Sequence, residues 1–337
     1  MLFLAAIGIF VFNFAVELRY AVESSIDSQL DANLTAVRLA QAEILAAQKG
    51  GKENRFTIIF VGDVMLSRGV AAQIKRHNDQ SFPFLKIADA LKGANIVFGN
   101  LEGPISARGK NQGSEYSFRA NPEVIQGLVF AGFDVISLAN NHIWDWGADA
   151  LQDTTHFLRD AGIGTVGAGS NEKEANAPFV ANLGGTKVAF LAYTNLLPES
   201  LRAWDNRPGV SDFDIGAIKR KIRSLRDDGD IVVVSLHWGE EYAEKPSNAQ
   251  REIAHELVDA GTDMIIGYHP HVIQEVEEYG DGWIAYSLGN FVFDQNFSEE
   301  TVQGLLIRVN VEAGKVESFS PEKITISDTF QPLEAGE

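Results

Sequence analysis

The chain has 337 residues, of which 45% are hydrophobic, and carries a formal net charge of -18 with a pI near 4.8. This composition predicts one large globular domain plus a smaller appendage, with enough apolar residues for a full core. The negative charge argues against nucleic acid or an anionic lipid surface as a partner. The absence of cysteine excludes disulfides and thiolate metal sites.

The chain begins with an apolar segment, because residues 1–16 contain a single polar side chain, Asn13. As a helix they span roughly 24 Å, and extension to Tyr20 approaches a hydrocarbon core of about 30 Å. We therefore predict a single-pass transmembrane anchor over residues 1–20. A cleaved secretory signal peptide is the alternative, although the segment lacks a basic start and a clear small-residue cleavage site.

Residues 21–55 follow as a predicted amphipathic helical stem and linker. Apolar side chains recur every three or four residues between Glu23 and Gln48, which predicts a helix. Such a helix either self-associates as a short coiled coil or lies on the domain or the membrane, and both alternatives remain open. Gly50 and Gly51 end the helix and begin the linker.

From residue 56 onward, apolar runs alternate with helical patterns, which predicts an α/β fold. Helices are expected at Ile215–Arg226 and at Ser247–Ala260, the second closed by Gly261. Late strands are expected at Trp283–Leu288, Leu305–Val311 and Val316–Phe319, with a hairpin turn at Gly314 between the last two. The domain is predicted over residues 56–328, followed by a frayed tail over residues 329–337.

Five apolar runs each lead into side chains that can bind metal ions. They are Phe56–Val61 before Asp63, Ile96–Phe98 before Asn100 and Glu102, Val135–Leu138 before Asn141 and His142, Ile231–Val234 before His237, and Met264–Ile266 before His269 and His271. Open α/β sheets bind ligands at the carboxyl ends of their strands, so we expect these side chains to share one site.

Each of these side chains taken alone also has a structural explanation, as part of a turn, a helix cap or a hydrogen-bonded core histidine. Their joint placement at five strand ends favours a metal site. Oxygen and imidazole ligands without thiolate suit manganese, iron or zinc. Three other histidines lie in helical patterns and are expected to be structural or surface residues: His77, His156 and His255.

The order of these motifs resembles that of the calcineurin-like metallophosphoesterase superfamily. The residues within each motif are more similar to those of the CapA family of bacterial capsule and poly-γ-glutamate synthesis. The matching segments are Gly62-Asp63-Val64-Met65-Leu66, Asn100-Leu101-Glu102, Tyr116-Ser117-Phe118-Arg119-Ala120, Ala139-Asn140-Asn141-His142, His237-Trp238-Gly239, His269-Pro270-His271 and Ser287-Leu288-Gly289-Asn290-Phe291. The resemblance implies a metallophosphatase-like layered α/β sandwich.

The resemblance also implies one or two divalent transition-metal ions. The implied ligands are Asp63 and His271 for one ion, Asn141, His237 and His269 for the other, and Glu102 as the bridging carboxylate. His142 is then the expected catalytic proton donor or substrate polariser, oriented by Asp145 three residues later.

Two positions depart from the superfamily pattern. Met65 stands where the first motif carries a histidine, and Asn100 stands where the second carries the bridging aspartate. A thioether is a poor ligand for these ions, so the first metal position has fewer ligands than the pattern requires. The sequence therefore leaves enzymatic activity open; if the protein is an enzyme, the resemblance implies a phosphoesterase-like, metal-dependent hydrolase.

Two residues are predicted to contact substrate. Arg119 is a cation near the motifs in an acidic chain, which suits a bidentate grip on an anionic group. Asn290 follows another apolar run and either contacts substrate or supports a metal ligand. Arg108 and Lys110 fit a solvated loop better than a binding site.

Three functions compete. The first is a membrane-anchored, CapA-like protein of capsule or poly-γ-glutamate synthesis or export, whose metal site binds or processes an anionic polymer. The second is a metal-dependent phosphoesterase unrelated to polymer, and the third is a non-catalytic scaffold. The expected partners are an anionic polymer or phosphoester, the membrane through the N-terminal helix, and other polymer-synthesis membrane proteins. The resemblance favours a cell-membrane location with the domain outside the cytoplasm.

Overall fold

The computed structural model describes residues 55–227 and 231–334. The predicted anchor over residues 1–20 and all but the last residue of the predicted stem lie outside this part of the chain. Arg55, which we assigned to the stem, is the first residue of a strand. Among the described residues no helix has the length and apolar character needed to cross a membrane.

The described residues contain sixteen strands. In chain order they are β1 (Arg55–Val64), β2 (Ile96–Leu101), β3 (Val135–Ser137), β4 (Gly164–Val166), β5 (Ala168–Gly169), β6 (Phe179–Leu183), β7 (Thr186–Thr194), β8 (Gly209–Val210), β9 (Ile231–His237), β10 (Met264–Tyr268), β11 (Val276–Tyr279), β12 (Gly282–Ala285), β13 (Asn290–Val292), β14 (Gln303–Glu312), β15 (Lys315–Ile326) and β16 (Pro332–Glu334).

The helices alternate with the strands through most of the domain. They are α1 (Arg68–His77), α2 (Ala88–Lys92), α3 (Ile125–Ala131), α4 (Gly147–Asp160), α5 (Glu172–Ala175), α6 (Ile215–Asp227) and α7 (Asn248–Asp259), with 3-10 turns at Phe82–Phe84, Pro122–Val124 and Glu199–Leu201. The helix α7 begins where Ser247 and Gln250 form a reciprocal capping box.

The strands form two large sheets. The first has the order β16-β15-β14-β1-β2-β3-β4, with β13 paired beside the end of β1. The second has the order β11-β12-β10-β9-β7-β6. The central strands of both sheets run parallel, so their carboxyl ends lie at one edge of each sheet.

The two sheets pack face to face, with helices on their outer faces. Phe60 and Phe98 of the first sheet contact Phe190 of the second, with ring centroids 5.5–6.5 Å apart. The alternate residues of β1, Ile59 and Val61, pack instead in a core that includes α1, α3 and α4. Both faces of β1 are therefore buried, which explains its continuous apolar run. The predicted layered α/β sandwich is confirmed.

The predicted helices and the late hairpin are also confirmed. The turn between β14 and β15 consists of Ala313 and Gly314, both with positive φ (51° and 78°). This is the backbone that a two-residue hairpin of the primed type requires, and glycine adopts it without strain.

Two features differ from the prediction. The hairpin of β6 and β7 was missed, although Gly184 and Gly185 mark its turn and an apolar run from Val188 follows. The frayed tail is wrong for the residues up to 334, because β16 pairs with β15 and the Gln331 amide donates to the Phe82 carbonyl at 2.6 Å. The strand β16 has only three residues, which are too few to show a periodic pattern in the sequence.

Candidate metal centre

The structure brings the predicted ligands together where the two sheets meet. Asp63 lies at the end of β1, and His237 ends β9 in the other sheet. Their side chains are completely buried and approach to 4.0 Å, between Asp63 Oδ1 and His237 Nδ1. His271 Nδ1 lies 3.7 Å from Asp63 Oδ2. Residues from distant parts of the sequence therefore share one site, as the positions of the strand ends predict.

Asp63 is held by three hydrogen bonds. Its backbone amide donates to the Gly289 carbonyl at 3.0 Å, which joins the end of β1 to the start of β13. Its Oδ1 accepts from the Asn100 amide at 2.7 Å, and its Oδ2 accepts from the His269 backbone N–H at 3.2 Å. The carboxylate is thus fixed between the two sheets and aimed at the histidines.

Asn100 supports Asp63 and does not bridge metal ions. Its NH₂ group donates to Asp63 Oδ1 at 2.7 Å. Its oxygen therefore points the other way, where it accepts from Asn140 Nδ2 at 3.1 Å. A residue with this orientation offers no lone pair to a cation in the cluster.

Glu102 is the carboxylate that remains available. It is 1% exposed, yet neither of its oxygens has a hydrogen-bond partner in the described part of the chain. Its Oε1 lies 3.5 Å from His271 Nε2 and 3.8 Å from His142 Nε2. A buried carboxylate without partners is costly, and a bound cation would remove that cost.

The turn after β10 carries two of the histidines in strained backbone conformations. His269 and His271 have positive φ values of 99° and 58°, on either side of Pro270. Such conformations cost on the order of 1–3 kcal/mol each for residues with a Cβ, and they concentrate at functional sites. They let both imidazoles enter one cluster, with ring centroids 5.9 Å apart.

Asn290 fixes the orientation of His271. Its NH₂ group donates to the carbonyls of His271 and Thr301 and to Gln295 Oε1, so its Oδ1 faces His271 Nδ1 at 2.9 Å. His271 therefore carries its proton on Nδ1 and presents the lone pair of Nε2 to the cluster. The structure corrects the prediction that Asn290 contacts substrate, because the residue is completely buried and its polar atoms are occupied. Its contacts fit the alternative role, support of a ligand.

Asn141 and His237 are in direct contact. Asn141 Oδ1 lies 2.8 Å from His237 Nε2, and the rings of His237 and His269 are 5.0 Å apart. His237 Nδ1 faces the Asn100 amide at 3.3 Å. The three residues that the resemblance assigns to one ion thus lie side by side.

Burial dominates the electrostatics of the cluster. It raises the pKa of Asp63 to about 7 and, together with the neighbouring Asp63 charge, raises the pKa of Glu102 well above its usual range. It lowers the pKa of His269 to about 4 and of His271 to about 3, and that of His237 well below its usual value. The imidazoles are therefore neutral at physiological pH, which is the form that binds metals.

The donor set fits a divalent transition metal. Ligand atoms of Asp63, Glu102 and His271 all lie within 4.8 Å of one another, and those of Glu241, His269 and His271 form a second such group. Neutral imidazoles and unpartnered carboxylate oxygens are what manganese, iron or zinc require. The first group contains Asp63 and His271, the ligands predicted for one ion, together with Glu102, the predicted bridging carboxylate.

His142 and Asp145 form a pair beside the cluster. His142 Nδ1 lies 2.8 Å from Asp145 Oδ2, as the prediction that Asp145 orients it requires. Asp145 is itself held by the Phe118 backbone N–H at 2.8 Å and by the Ser114 hydroxyl at 2.6 Å. The His142 ring packs on Phe118, its Nε2 lies 3.8 Å from Glu102 Oε1, and the residue lines the adjoining cavity.

A cavity of about 200 Å³ adjoins the cluster. It is lined by Arg68, Tyr116, Phe118, His142, Glu241, Tyr242, His271, Asp294, Gln295 and Phe297. The cation on this wall is Arg68, which pairs with Asp294 at 2.9 Å and lies over the Phe118 ring. Sequence reasoning missed Arg68, although it closely follows the Asp63 motif and begins α1.

Arg119, the predicted substrate contact, is not among the residues that line this cavity. Its guanidinium lies 3.5 Å from the centroid of the Trp146 ring and donates to the Arg108 carbonyl at 3.1 Å. The structure therefore assigns Arg119 to loop packing instead. Arg108 forms an ion pair with Asp153, so it too is a structural residue.

The other three histidines lie apart from the cluster, as predicted. His77 stacks on Phe82, and His156 is an exposed partner of Asp160. His255 stacks on Tyr279 and contacts Glu277.

The second residue that sequence reasoning missed is Glu241, which lies in one of the two ligand groups. The signal that could have found it is its place just after His237-Trp238-Gly239.

The fold and the site define a two-sheet α/β domain with a buried carboxylate and histidine cluster at the strand ends. The chain belongs to the family described as "Bacterial capsule synthesis protein PGA_cap", whose model matches residues 57–295. The expected CapA-type family is thereby confirmed.

Curated relatives agree with this family. The chain is 35% identical over 273 residues to the capsule biosynthesis protein CapA of Bacillus anthracis, covering 79% of this chain and 66% of that protein. It is 32% identical over 272 residues to the PGA biosynthesis protein CapA of Bacillus subtilis strain 168, covering 80% and 71%. The chain thus matches just under two thirds of the length of the first relative.

Solved structures show more distant similarity. The NAD nucleotidase NadN of Haemophilus influenzae aligns with a TM-score of 0.48 and 11% identity, covering 84% of this chain and 60% of that one. A 5'-nucleotidase precursor from Thermus thermophilus aligns with a TM-score of 0.44 and 13% identity, covering 82% and 56%.

Proposed function

We propose that this protein acts in the synthesis or export of a bacterial capsule polymer of the poly-γ-glutamate type, with a divalent-metal centre that binds or processes an anionic polymer or phosphoester. The family and the names of its Bacillus relatives, which are capsule and PGA biosynthesis proteins, support the biological role. The observation that supports the role of the site is the buried Glu102 carboxylate, which has no hydrogen-bond partner in the described part of the chain. It lies beside His271, and His271 lines the cavity.

The residues of the site have separate roles in metal binding and in substrate binding. Asp63, Glu102, His269 and His271 would hold the metal. Asn141 and His237, which contact each other at 2.8 Å, would be the further ligands that the resemblance implies. A divalent ion there supplies a Lewis acid that polarises a phosphoryl or carbonyl oxygen. Arg68 attracts the negative charge of the substrate at the cavity wall.

His142 is placed to transfer a proton. Its Nδ1 is held by Asp145, which fixes the ring and leaves Nε2 to exchange a proton with a leaving group in the cavity. The buried Asp145 stabilises the imidazolium that forms when the ring takes up a proton. This pair favours a catalytic protein over a scaffold.

We further propose that residues 1–20 anchor the protein in the cell membrane by a single pass and that residues 21–54 form a stem. The domain that begins at β1 then lies outside the cytoplasm, where a capsule polymer is assembled or released. The apolar composition of residues 1–16 supports this arrangement. Fractionation of cells expressing the full chain, followed by protease treatment of intact spheroplasts, tests it: recovery in the soluble fraction rejects the anchor.

Complementation of a deletion strain tests the function. The full wild-type chain is expected to restore surface polymer, whereas His142→Ala is expected to restore less than about a tenth of it, because removal of a general acid costs about 10²–10⁴ in rate. His156→Ala, which removes an exposed histidine outside the site, is the matched control and should complement fully.

The outcomes separate the competing functions. Normal polymer in the deletion strain would reject a role in its synthesis or export. Full complementation by His142→Ala, together with loss of function in His271→Ala, would indicate a metal-dependent binding protein without proton transfer at His142. Full complementation by both variants would leave only a scaffold.

A further inference from the structure

The loop after β9 brings a carboxylate, Glu241, to the His-Pro-His turn. Ligand atoms of Glu241, His269 and His271 lie within 4.8 Å of one another. Glu241 also lines the cavity together with His142 and His271.

The backbone ties this loop to the turn at both ends. The Trp238 N–H donates to the Tyr268 carbonyl at 3.1 Å, and the Tyr242 N–H donates to the Pro270 carbonyl at 2.8 Å. Between them the chain reverses at Gly239, whose φ of 90° and close approach to the Gln250 side chain exclude a larger residue without strain. Glu241 is therefore held beside the histidines by the fold itself.

An unpartnered buried atom marks the same place. His269 is 6% exposed, and its Nδ1 has no hydrogen-bond partner within the described ranges. A buried imidazole nitrogen without a partner is either a free ligand atom or an uncompensated desolvation cost. This is independent of the Glu241 geometry and points to a cation between the two.

The chain also lacks one ligand in each of the first two motifs of the superfamily, at Met65 and Asn100. The Met65 sulfur accepts hydrogen bonds from the Ser67 N–H at 3.1 Å and from its hydroxyl at 3.0 Å, so it faces its own turn. Asn100 turns its NH₂ group toward the cluster. A further carboxylate beside the cluster, such as that of Glu241, would replace one of these missing ligands.

We propose that Glu241 is a metal ligand, which completes with His269 and His271 a two-histidine, one-carboxylate set for a divalent transition metal. This inference rests on the metal centre of the proposed function. Such sets hold zinc and non-haem iron in other proteins. The contact with Asn290 leaves His271 a single free lone pair, on Nε2, so His271 can bind only one ion. An ion held by Glu241, His269 and His271 is therefore that same ion.

Metal titration of the purified full chain tests the proposal, with Mn²⁺ alone for affinity and Co²⁺ alone for its visible spectrum. Glu241→Gln is expected to weaken Mn²⁺ binding at least tenfold and to change the absorption of bound Co²⁺, because an oxygen ligand is lost. Glu240→Gln removes the same charge one residue earlier, outside both ligand groups, and is expected to bind within about twofold of wild type. Thermal unfolding of each metal-free variant shows whether its fold is intact.

Each outcome has one meaning. Wild-type affinity and spectrum in Glu241→Gln would overturn the ligand role, while the metal centre of the proposed function would stand if Asp63→Asn still weakens binding. Weaker binding with an unchanged Co²⁺ spectrum would also overturn it, because only the charge of Glu241 would matter. A wild-type chain that binds neither ion rejects the metal centre and this inference together.

Discussion

Met65 and Asn100 occupy two positions where the superfamily that the chain resembles has metal ligands. In this structure each has a structural role instead. The buried Met65 sulfur accepts hydrogen bonds from Ser67 at the start of α1. Asn100 replaces a negative charge by a neutral donor, which holds Asp63 without adding repulsion to the two buried carboxylates. The centre thereby keeps Asp63 and Glu102 as its buried acids.

The pKa of Asp63 predicts how stability depends on pH in the metal-free protein. Burial raises this pKa from 3.8 to about 7, so folding favours the protonated form. Its contribution is therefore fully present below about pH 3.8 and is lost as the pH rises to about 7. Asp63→Asn removes this loss, so its free energy of unfolding relative to wild type should rise by a few kcal/mol between pH 4 and 7, at about 1.4 kcal/mol per unit.

Urea unfolding with chelator at several pH values measures this difference. The lowered pKa values of His269 and His271 act in the opposite sense, with stability lost below about pH 6.5, but they are common to both proteins and largely cancel. Asp89→Asn, which removes a fully exposed carboxylate, is the control and should show no such trend. A pH-independent difference for Asp63→Asn would contradict the buried-acid explanation.

At the scale of elements, the site depends on the close approach of β1 and β13. Gly62 lies so near this neighbour that a Cβ there would come within 2.2 Å of the Gly289 carbonyl oxygen. The contact sets the register that places Asp63 opposite Asn290 and hence beside His271. Position 62 therefore requires glycine, because the two backbones pack in direct contact there.

Gly62→Ala is therefore expected to push β1 away from β13. We expect a loss of about 1–3 kcal/mol or more in the free energy of unfolding, typical of overpacking, and weaker Mn²⁺ binding because Asp63 moves. Gly93→Ala is the matched control, since the nearest atom to its added Cβ is 3.9 Å away, and should change stability little. Equal stability of the two variants in chelator would show that the backbone accommodates the methyl group.

At the scale of the molecule, the centre joins the two sheets. Asp63 and Glu102 belong to strand ends of the first sheet, whereas His237, His269 and His271 belong to strand ends of the second. The phenylalanine contacts between the sheets join β1 and β2, the two ligand-bearing strands of the first sheet, to β7 of the second. A bound ion would therefore stabilise the whole domain and not one sheet alone.

Metal binding should accordingly raise the melting temperature of the full chain. An ion at a hundred times its Kd adds about 2.7 kcal/mol to the free energy of unfolding, which corresponds to roughly 5 °C for a domain of this size. Calorimetry with and without Mn²⁺ measures the shift. His271→Ala should abolish it, and an equal shift in that variant would indicate that the ion binds elsewhere.

The residue patterns were sufficient to predict an α/β fold and the location of the candidate site, and the resemblance implied the layered sandwich. Apolar runs that end in Asp63, His237 and His269 are local patterns, and parallel strands place their carboxyl ends together whatever the details of packing. The resemblance to the CapA family added the pairing of His142 with Asp145. These features depend on neighbours in sequence or on rules common to all such sheets.

Only the tertiary structure decided which side chains face the centre. Arg68 lines the cavity and Arg119 does not, and Glu241 reaches the histidines, because their loops are held by hydrogen bonds to distant residues. The orientations of Asn100 and Asn290 follow from networks that span both sheets. Such contacts join residues that are far apart in the sequence, so local sequence does not reveal them. A polar residue near a motif is a candidate site residue, and long-range packing determines where its side chain points.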